Sequence, residues 1–380
     1  MAIISADDFR HLFVNNKPLM DVRAPVEFAE GAFPNAINLP ILDDAQRHDI
    51  GCVFALSGQE AAIARGLELA SPDVRAQRMG AWLLHARRYP DGYLYCYRGG
   101  LRSRTAQQWL MEAGVNYPLI EGGYKSMRRF LLGELQRLSE SSRLLVVAGA
   151  TAVGKTDFLL DYGRSIDLEG HANHRGSAFG AMPDSQPSQI DFENAMIIDW
   201  IQKDAAGPGP ILIEAESRLI GRLNLPAPLQ AAMNQAPQVR LLASSYDRLQ
   251  RLRRDYIQFA LDFFLKEQPT PDGAWDKLHK SIQSSFDRIR KRLGGARHQQ
   301  LSRLLPEAIQ LLRSQQDWSG FDVIFKQLLT EYYDKMYDYQ LSQQQERVVF
   351  TGEHQDLLQW LNEYQCDWSS QILHTGSEVP

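Results

Sequence analysis

The sequence is poor in cysteine: its 380 residues include three, Cys52, Cys96 and Cys366. They are widely spaced, odd in number and form no CxxC pair, which argues against a disulfide framework and a cysteine-based zinc site. This usage predicts a reducing, cytoplasmic environment. Long apolar runs are also missing, and the start MAIISADDF lacks a basic segment followed by an apolar one, so we expect no membrane span and no secretion signal.

Neither sign of charge is in large excess. The chain has 41 Lys and Arg residues against 46 Asp and Glu residues, a net charge of −5, so the molecule as a whole is not an obvious nucleic-acid binder. Any site for a polyanion must therefore be a local patch. Hydrophobic residues make up 44% and charged residues 23% of the chain, close to globular averages, and the length predicts two or three domains.

Strand-like and helical patterns alternate along the first third of the chain. Short β-like runs such as PLMDVR, AINLP and GYLYCYRGG are separated by helical stretches, one of them from about 59 to 86. This alternation predicts an α/β domain with a mainly parallel sheet. A helix over about 124–140 then leads to RLLVVAGATAVGKTDFLL, the start of a second α/β unit in which PGPILIEAES is a neighbouring strand. Beyond residue 245 the pattern is mostly helical.

A cysteine, Cys96, directly follows the β-like run YLY, with Gly99 and Gly100 in the next turn and a helix beginning near Ser103. Backbone N–H groups in a Gly-rich turn and at a helix N-terminus form a cradle for anions. Three arginines lie close by in sequence: Arg98, Arg102 and Arg104. Together these features favour the thiolate, the nucleophilic form of cysteine. The alternative is a buried structural cysteine beside a tight turn, and the combination favours function.

The segment GATAVGKT, residues 149–156, matches the phosphate-binding pattern G-x-x-x-x-G-K-[ST] in full, with a strand before it and a helix after it. Backbone N–H groups between Gly149 and Gly154 would cradle a di- or triphosphate, and Lys155 would neutralise its oxygens. The Thr156 hydroxyl would help to hold Mg²⁺. We therefore predict a diphosphate site at which Mg²⁺ binds together with the diphosphate.

The second strand of this unit lacks the aspartate that often accompanies such a loop. It ends instead in ILIEAESR, with Glu214 and Glu216. These acids either support a metal ion or a water molecule, or cap a structural turn. Between the two strands lies a long, polar, Gly-rich segment that contains His171, His174, Arg175 and Ser177. Within it, His174 and Arg175 are candidates for contact with phosphate or RNA, and an ordinary surface loop is the alternative.

Upstream of the cysteine loop stand Asp21-Val-Arg23 and Glu27. With the cysteine loop they resemble a rhodanese homology domain, and rhodaneses carry sulfur or selenium on the cysteine that corresponds to Cys96. Five residues separate Cys96 from Arg102, a spacing also used by related cysteine phosphatases and suited to a tetrahedral, phosphate-sized anion. We interpret Asp21 and Arg23 as a buried ion pair at a strand end that stabilises the domain.

Five segments follow one another along the chain: CYRGGLRS, GATAVGKT, NHRGSAFG, QPSQIDFENA and IEAESRLIG. In this order they are similar to bacterial tRNA 2-selenouridine synthase, and the similarity continues in LGGARH and LLTEYYDKMYDY. The resemblance implies an α/β fold, in which a rhodanese-like domain is followed by a P-loop NTPase-like α/β domain with a largely helical C-terminal part. We predict a rhodanese-like domain over 1–136, the P-loop domain over 137–240, and a helical region over 241–380 that packs on the P-loop domain.

The resemblance also implies a reaction on tRNA with 2-thiouridine at the wobble position, in which the sulfur is replaced by selenium. In that family the sulfur is first geranylated with geranyl diphosphate, and selenium from selenophosphate then displaces it. Cys96 would accept the selenium, and the loop would bind selenophosphate through Arg98, Gly99, Gly100 and Arg102. The P-loop would hold geranyl diphosphate with Mg²⁺. The expected partners are the tRNA and an enzyme that supplies selenophosphate.

Local basic runs in the helical third are candidate tRNA contacts, with solvated helix faces as the alternative. They are Arg248, Arg251, Arg253 and Arg254, then Arg288, Arg290, Lys291 and Arg292, then Arg297 with His298. Tyrosines farther along are candidates for stacking on unpaired bases, with core packing as the alternative. They are Tyr332, Tyr333, Tyr337 and Tyr339.

Two other functions fit parts of the sequence. The spacing of Cys96 and Arg102 also fits a rhodanese-fold cysteine phosphatase or arsenate reductase fused to a P-loop NTPase, but that function needs a general-acid aspartate and leaves the P-loop unexplained. A non-enzymatic module, with one domain as a sensor and the P-loop as a switch, would not need the intact Cys96, Lys155 and Thr156. We therefore expect an enzyme, and we assign no catalytic role to Cys52.

Overall fold

A computed structural model describes residues 3–177, 179–180, 182, 184–337 and 345–375. Tyr339, and the side chain of Cys366, lie outside the described part of the chain. The chain forms two compact units, 1–138 with 188–206, and 139–187 with 207–380. The sequence-based division at 136 and 240 differs from this grouping in two respects: residues 188–206 belong to the first unit, and the second unit continues past residue 240.

The first unit contains a five-stranded parallel sheet in the order β1-β5-β4-β2-β3. Its strands are β1 Ile3–Ile4, β2 Leu19–Asp21, β3 Ala36–Asn38, β4 Tyr93–Tyr95 and β5 Leu119–Ile120. Its first helices are α1 Phe9–Val14, α2 Pro25–Glu30, α3 Asp44–Leu69, α4 Pro72–Arg88, α5 Leu101–Glu112 and α6 Gly123–Ser141, after a 3₁₀ turn at Ala6–Asp8. The prediction of an α/β fold with a parallel sheet is confirmed.

The helical stretch predicted over 59–86 is two helices. Proline occupies the first position of α4 at Pro72, and the Ser71 hydroxyl accepts a hydrogen bond from the Val74 N–H at 3.4 Å. Proline has no N–H to donate, and its ring clashes with a helical conformation of the residue before it. Helix α3 therefore ends at Leu69, and α4 is a separate helix. The prediction of one continuous helix is therefore wrong at residues 70–71. The helix predicted over 124–140 is confirmed as α6.

The second unit contains a five-stranded parallel sheet in the order β12-β11-β6-β8-β7. It begins with β6 Leu144–Ala148, α7 Lys155–Tyr162, β7 Ser165–Ile166 and α8 Leu168–His171. Next in the chain is α9 Gln189–Ala205, which belongs to the first unit, where its Asn194 amide donates to the Ala32 carbonyl at 2.7 Å. The chain then continues with β8 Ile211–Glu214, which pairs with β6, so the prediction that PGPILIEAES is a neighbouring strand is confirmed.

The remaining elements lie in the second unit. They are β9 Leu219–Ile220, β10 Leu223–Asn224, α10 Ala227–Gln235, β11 Gln238–Leu241, α11 Ser245–Leu252, α12 Phe259–Glu267, α13 Pro271–Leu293, α14 Gly295–Gln315, α15 Ser319–Leu328, β12 Val348–Gly352 and α16 His354–Thr375, with π-helices at Arg253–Gln258 and Leu329–Tyr333 and a 3₁₀ turn at Gln345–Arg347. The helical prediction for this part missed β12, which extends the P-loop sheet beside β11. Among the described helices, none is long and apolar enough to cross a membrane.

Candidate functional sites

The thiol of Cys96 lies at the junction between β4 and α5. Its side chain is 3% exposed and packs in the core of the first unit. Its Sγ lies 3.1 Å from the hydroxyl of Ser103, a fully buried residue in the first turn of α5. Gly100 is the N-cap of α5, and the first N–H groups of a helix have no partner within it. The cysteine, the turn and the helix start therefore meet as the sequence predicts, and the anion-binding role stays a prediction.

A second Gly-rich turn, between β5 and α6, supports the cysteine loop. The Tyr124 N–H donates to the Cys96 carbonyl at 2.9 Å. A Cβ on Gly99 would lie 2.7 Å from the Gly122 nitrogen, and a Cβ on Gly123 would lie 2.2 Å from the Cys96 carbonyl oxygen. In contrast, a Cβ on Gly100 would meet nothing within 4 Å. Close backbone packing therefore requires glycine at 99 and 123, and the sequence reasoning overlooked the second turn.

We expect Gly123→Ala to destabilise the protein by at least about 1 kcal/mol, because its φ is +58° and the new Cβ would collide with the Cys96 carbonyl. Gly133→Ala is the matched control, since Gly133 lies inside the same helix with no atom within 4 Å of a new Cβ. That control should stabilise the protein by roughly 0.5–1 kcal/mol. Equal free energies of unfolding for the two variants in urea titrations would contradict the proposed packing.

Arg102 is held in the loop by Glu27. Its guanidinium donates to both Glu27 carboxylate oxygens, and the Ala24 N–H donates to the same carboxylate at 3.0 Å. Burial alone would lower the pKa of Arg102, but the Glu27 carboxylate outweighs it and the pKa lies above its usual value. Arg102 is therefore a permanent positive charge beside the thiol loop.

The other predicted groups of this loop are placed differently. The side chains of Arg98 and Arg104 are exposed, and the Arg98 guanidinium lies 5.9 Å from the centre of the Tyr97 ring.

Asp21 and Arg23 are fully buried and form an ion pair at 2.6 Å, and Arg23 also donates to the Gly31 carbonyl at 2.8 Å. The prediction of a buried structural pair at this strand end is confirmed.

The P-loop follows β6 and turns into α7 at Lys155. Gly154 has a φ of +93°, and a Cβ there would lie 2.7 Å from the Nε of Arg251, so the arginine side chain lies directly against the loop. A Cβ on Gly149 would lie 2.9 Å from the Leu241 carbonyl oxygen. Lys155 and Thr156 line a cavity of about 860 Å³ with the loop backbone, a size typical of ligand pockets.

Three carboxyl groups, one buried and two half-buried, lie beside this loop. Glu214, at the end of β8, is fully buried and accepts a hydrogen bond from the Glu169 N–H at 2.6 Å. Glu216 faces the cavity, as does Glu169, whose carboxylate lies 3.5 Å from the Thr156 hydroxyl. The sequence reasoning named Glu214 and Glu216 but overlooked Glu169, which precedes the polar segment and has no motif of its own. The structure thus separates a buried acid from two that face the cavity.

Burial and mutual repulsion keep these acids partly protonated. Burial first and the charge of Glu216 second raise the pKa of Glu169 to about 8, although Lys155 opposes the shift. Burial also raises the pKa of Glu216, and it raises that of Glu214 well above its ordinary range. At neutral pH the cluster therefore carries less negative charge than three carboxylates would, which favours an anion in the cavity.

We expect Glu169→Gln to stabilise the metal-free protein increasingly as pH rises from 4.5 to about 8. A carboxyl whose pKa is higher in the folded chain binds more protons when folded, so the folded state loses stability across that range, by up to about 1.4 kcal/mol per pH unit. The amide removes this loss. Thermal unfolding with a chelator at several pH values measures this difference, and Glu307→Gln, which replaces an exposed carboxyl group on α14, is the control. A gain that is independent of pH would contradict the shift.

The residues around Thr156 fit a Mg²⁺ ion that is also bound by phosphate. Mg²⁺ sites of this type use one or two carboxylates, a hydroxyl and substrate oxygens. The Thr156 hydroxyl and the carboxylates of Glu169 and Glu216 are the available donors. Glu214 has a carboxylate oxygen that is buried without a hydrogen-bond partner and lies behind them. Within the described ranges, no group of three or more His, Cys, Asp or Glu side chains is arranged to hold a metal by itself.

The polar segment after α8 contributes to the same cavity. His174, Arg175 and Ser177 line it, and the Ser177 hydroxyl lies 2.8 Å from the hydroxyl of the half-buried Tyr256. Burial and the charge of Arg288 lower the pKa of His174, so its imidazole is neutral at physiological pH. His174 and Arg175 lie at the cavity, and their contact with phosphate or RNA stays a prediction.

The basic runs divide into two groups. Those of α11 and the following π-helix are engaged in ion pairs: Arg248 with Asp334, Arg251 with Asp157, Arg253 with Asp322, and Arg254 with Asp157 and Asp255. Farther along, Arg297 pairs with Glu331 and His298 with Asp287. A second group lies on α13, where four basic side chains are exposed near the cavity and one of them, Arg288, donates to the Ser285 hydroxyl at 2.7 Å: Arg288, Arg290, Lys291 and Arg292. This second group is the better candidate surface for a polyanion.

Comparison with known proteins agrees with this two-part arrangement. A rhodanese-like domain family matches residues 5–129, and the family described as the tRNA 2-selenouridine synthase AAA domain matches residues 142–367. Curated relatives named tRNA 2-selenouridine synthase include that of Marinobacter nauticus, 44% identical with 93% of this chain and 96% of that protein covered. Those of Bordetella bronchiseptica and Pseudomonas syringae pv. syringae are each 44% identical, and the alignments cover 93% and 94% of this chain and 96% and 98% of those proteins. The chain therefore belongs to the tRNA 2-selenouridine synthase family.

Proposed function

We propose that this enzyme converts 2-thiouridine at the wobble position of tRNA to 2-selenouridine by geranylating the sulfur and then replacing it with selenium. The observation that best supports this is that one chain combines two loops whose geometry suits anions. One has a buried thiol at a helix start, with Arg102 fixed beside it. The other is a P-loop that opens into a cavity with basic residues along one side.

The P-loop is the proposed geranylation site. The thiouridine sulfur bonds to C1 of the geranyl group, the C1–oxygen bond breaks, diphosphate leaves with the electron pair, and the base loses its N3 proton. Lys155 and Arg251, which both lie at the loop, would neutralise the diphosphate as it departs. Mg²⁺, when bound, would supply further positive charge to the same oxygens. The chain's donors for it would be Thr156, Glu169 and Glu216.

The cysteine loop is the proposed selenium site. The loop backbone, the start of α5 and Arg102 would bind selenophosphate, which a separate enzyme must supply. Cys96 would act as the nucleophile at the phosphorus of selenophosphate: the S–P bond forms, the P–Se bond breaks and selenide leaves with the electron pair. Water would then release phosphate from the sulfur and restore the thiol. Alkylation prepares the base for the selenide, since the sulfur then leaves C2 as geranylthiol when selenium bonds there.

The exposed basic side chains of α13 are the proposed tRNA contact. Four of them follow one another within five positions at the C-terminal end of the helix: Arg288, Arg290, Lys291 and Arg292. A local cluster of this kind binds phosphates although the whole chain carries a net charge of −5.

Nucleoside mass spectrometry on a 2-thiouridine tRNA tests the proposal directly. One reaction contains enzyme, Mg²⁺ and geranyl diphosphate, and a second also contains selenophosphate. We expect S-geranyl-2-thiouridine in the first and 2-selenouridine in the second. Unchanged 2-thiouridine in both, together with hydrolysis of a generic aryl phosphate, would instead support the cysteine phosphatase alternative.

A further inference from the structure

The cavity at the P-loop has walls of different chemistry. One end is the phosphate-binding loop with Lys155, and one side carries Arg288, Lys291 and Arg292 from α13. A further part of the lining, which we call the aromatic wall, consists of Tyr332, Tyr333, Met336 and Tyr337, and the acids and the polar segment described above complete the lining. A diphosphate and RNA phosphates account for the first two walls. Neither accounts for the aromatic wall.

A single helical face forms the aromatic wall. The π-helix Leu329–Tyr333 continues into helical residues 334–337. The wall residues form two pairs of neighbours, Tyr332 with Tyr333 and Met336 with Tyr337, which lie one helical turn apart. Tyr332 and Tyr333 are buried, with ring centres 4.8 Å apart, whereas Met336 is 37% exposed. The π-helix is a rare, wider turn that occurs frequently at functional sites.

The aromatic wall is fixed to the P-loop by Arg248. The Arg248 Nε donates to the carbonyl of Thr151 in the P-loop at 2.9 Å. Its guanidinium also pairs with Asp334, with Nη1 and Oδ2 at 3.2 Å, and Asp334 stands between the two pairs of wall residues. On the same side, Ala152 of the P-loop packs against the hydrophobic cluster that contains Tyr332 and Tyr333. A ligand held by the P-loop therefore meets the wall at a set position.

We propose that the aromatic wall binds the isoprenoid chain of the allylic diphosphate and that Met336 limits the length of the chain. This inference rests on the proposed function and adds the surface that selects the prenyl group. A hydrocarbon chain needs no hydrogen-bond partners, whereas a nucleobase in the same place would leave polar edges to satisfy. Ile289 and Leu252, two buried aliphatic residues of the cavity lining, extend the apolar surface.

Binding to the full-length protein tests the wall without any turnover. Calorimetry would compare inorganic diphosphate with the non-reactive thiolo analogue of geranyl diphosphate, both with Mg²⁺. Burial of even two or three methylene groups should make the analogue bind at least about tenfold more tightly. Met336→Ala should reduce that advantage by roughly fivefold and leave the affinity for inorganic diphosphate unchanged. Equal affinities of the wild-type protein for the two compounds would overturn the inference, whether or not the enzyme prenylates tRNA.

Chain-length preference is the second measurement. Dimethylallyl, geranyl and farnesyl diphosphates would compete for 2-thiouridine tRNA. Met336→Ala should raise the farnesyl-to-geranyl product ratio by about tenfold, and Met336→Trp should shift products towards dimethylallyl. Leu265→Ala, at an exposed apolar position on α12 outside the cavity lining, is the control. Unchanged ratios in both Met336 variants would overturn the inference but leave the proposed function intact. If the geranyl analogue binds more tightly than inorganic diphosphate but no prenylated tRNA forms, the role of the aromatic wall would stand and the proposed function would be wrong.

Discussion

Replacing Cys96 with serine is expected to lower selenium transfer to tRNA by roughly 10⁴-fold or more while geranylation continues at the wild-type rate. A serine hydroxyl is not ionised at neutral pH and is a far weaker nucleophile than a thiolate. The change is nearly isosteric, and the Ser103 hydroxyl that lies 3.1 Å from the thiol can hydrogen-bond the new hydroxyl. The loop should therefore keep its shape and lose only its reactive atom. Reactions with selenophosphate and a tRNA that already carries S-geranyl-2-thiouridine isolate this step.

Cys52→Ser provides the matched control. Cys52 is also a free cysteine of the first unit, but it is exposed on α3, where its sulfur lies 3.6 Å from a ring nitrogen of His48. The control should transfer selenium normally. Normal transfer by Cys96→Ser would show that selenium reaches the base without this thiol, and the role proposed for the cysteine loop would then be wrong.

Local patterns predicted those parts of the structure that depend on neighbouring residues. The strand before GATAVGKT, the loop itself and the helix after it are all set by a short apolar run, glycines and a helix start. The same holds for Cys96 between β4 and α5. In both cases a contiguous segment carries the signal, so sequence alone indicates the element and its chemistry.

Contacts between distant segments were not predictable in this way. Glu169 faces the cavity because β7 and β8 bring it beside Glu216, 47 positions later in the chain. Gly123 supports the cysteine loop from a turn that begins another helix. Strand β12 alternates exposed and partly buried residues at the edge of its sheet, so its short VVFTG run gave little signal amid long helices. Each case depends on tertiary pairing that one sequence does not display.

Replacing Lys155 with alanine is expected to give the opposite result to Cys96→Ser. Geranylation should fall by roughly 10²–10³-fold, because the positive charge that opposes the leaving diphosphate is lost. Two acids that face the same cavity, Glu169 and Glu216, would also lose the cation that favours their ionised forms. Affinity for inorganic diphosphate should weaken at least about tenfold. Selenium transfer to a tRNA that is already geranylated should be unchanged, since Cys96 lies in the other unit.

Lys280→Ala is the control for this experiment, since Lys280 is an exposed lysine on α13 that does not line the P-loop cavity. It should geranylate and selenate at wild-type rates.

Cys96→Ser and Lys155→Ala, each assayed for geranylation and for selenium transfer, distinguish three possibilities. Complementary losses in Cys96→Ser and Lys155→Ala would assign one step to each unit, because each variant would complete the step that the other cannot. Loss of both steps in Lys155→Ala, even with geranylated tRNA, would mean that the P-loop also serves selenium transfer. Normal geranylation by Lys155→Ala would place the diphosphate elsewhere.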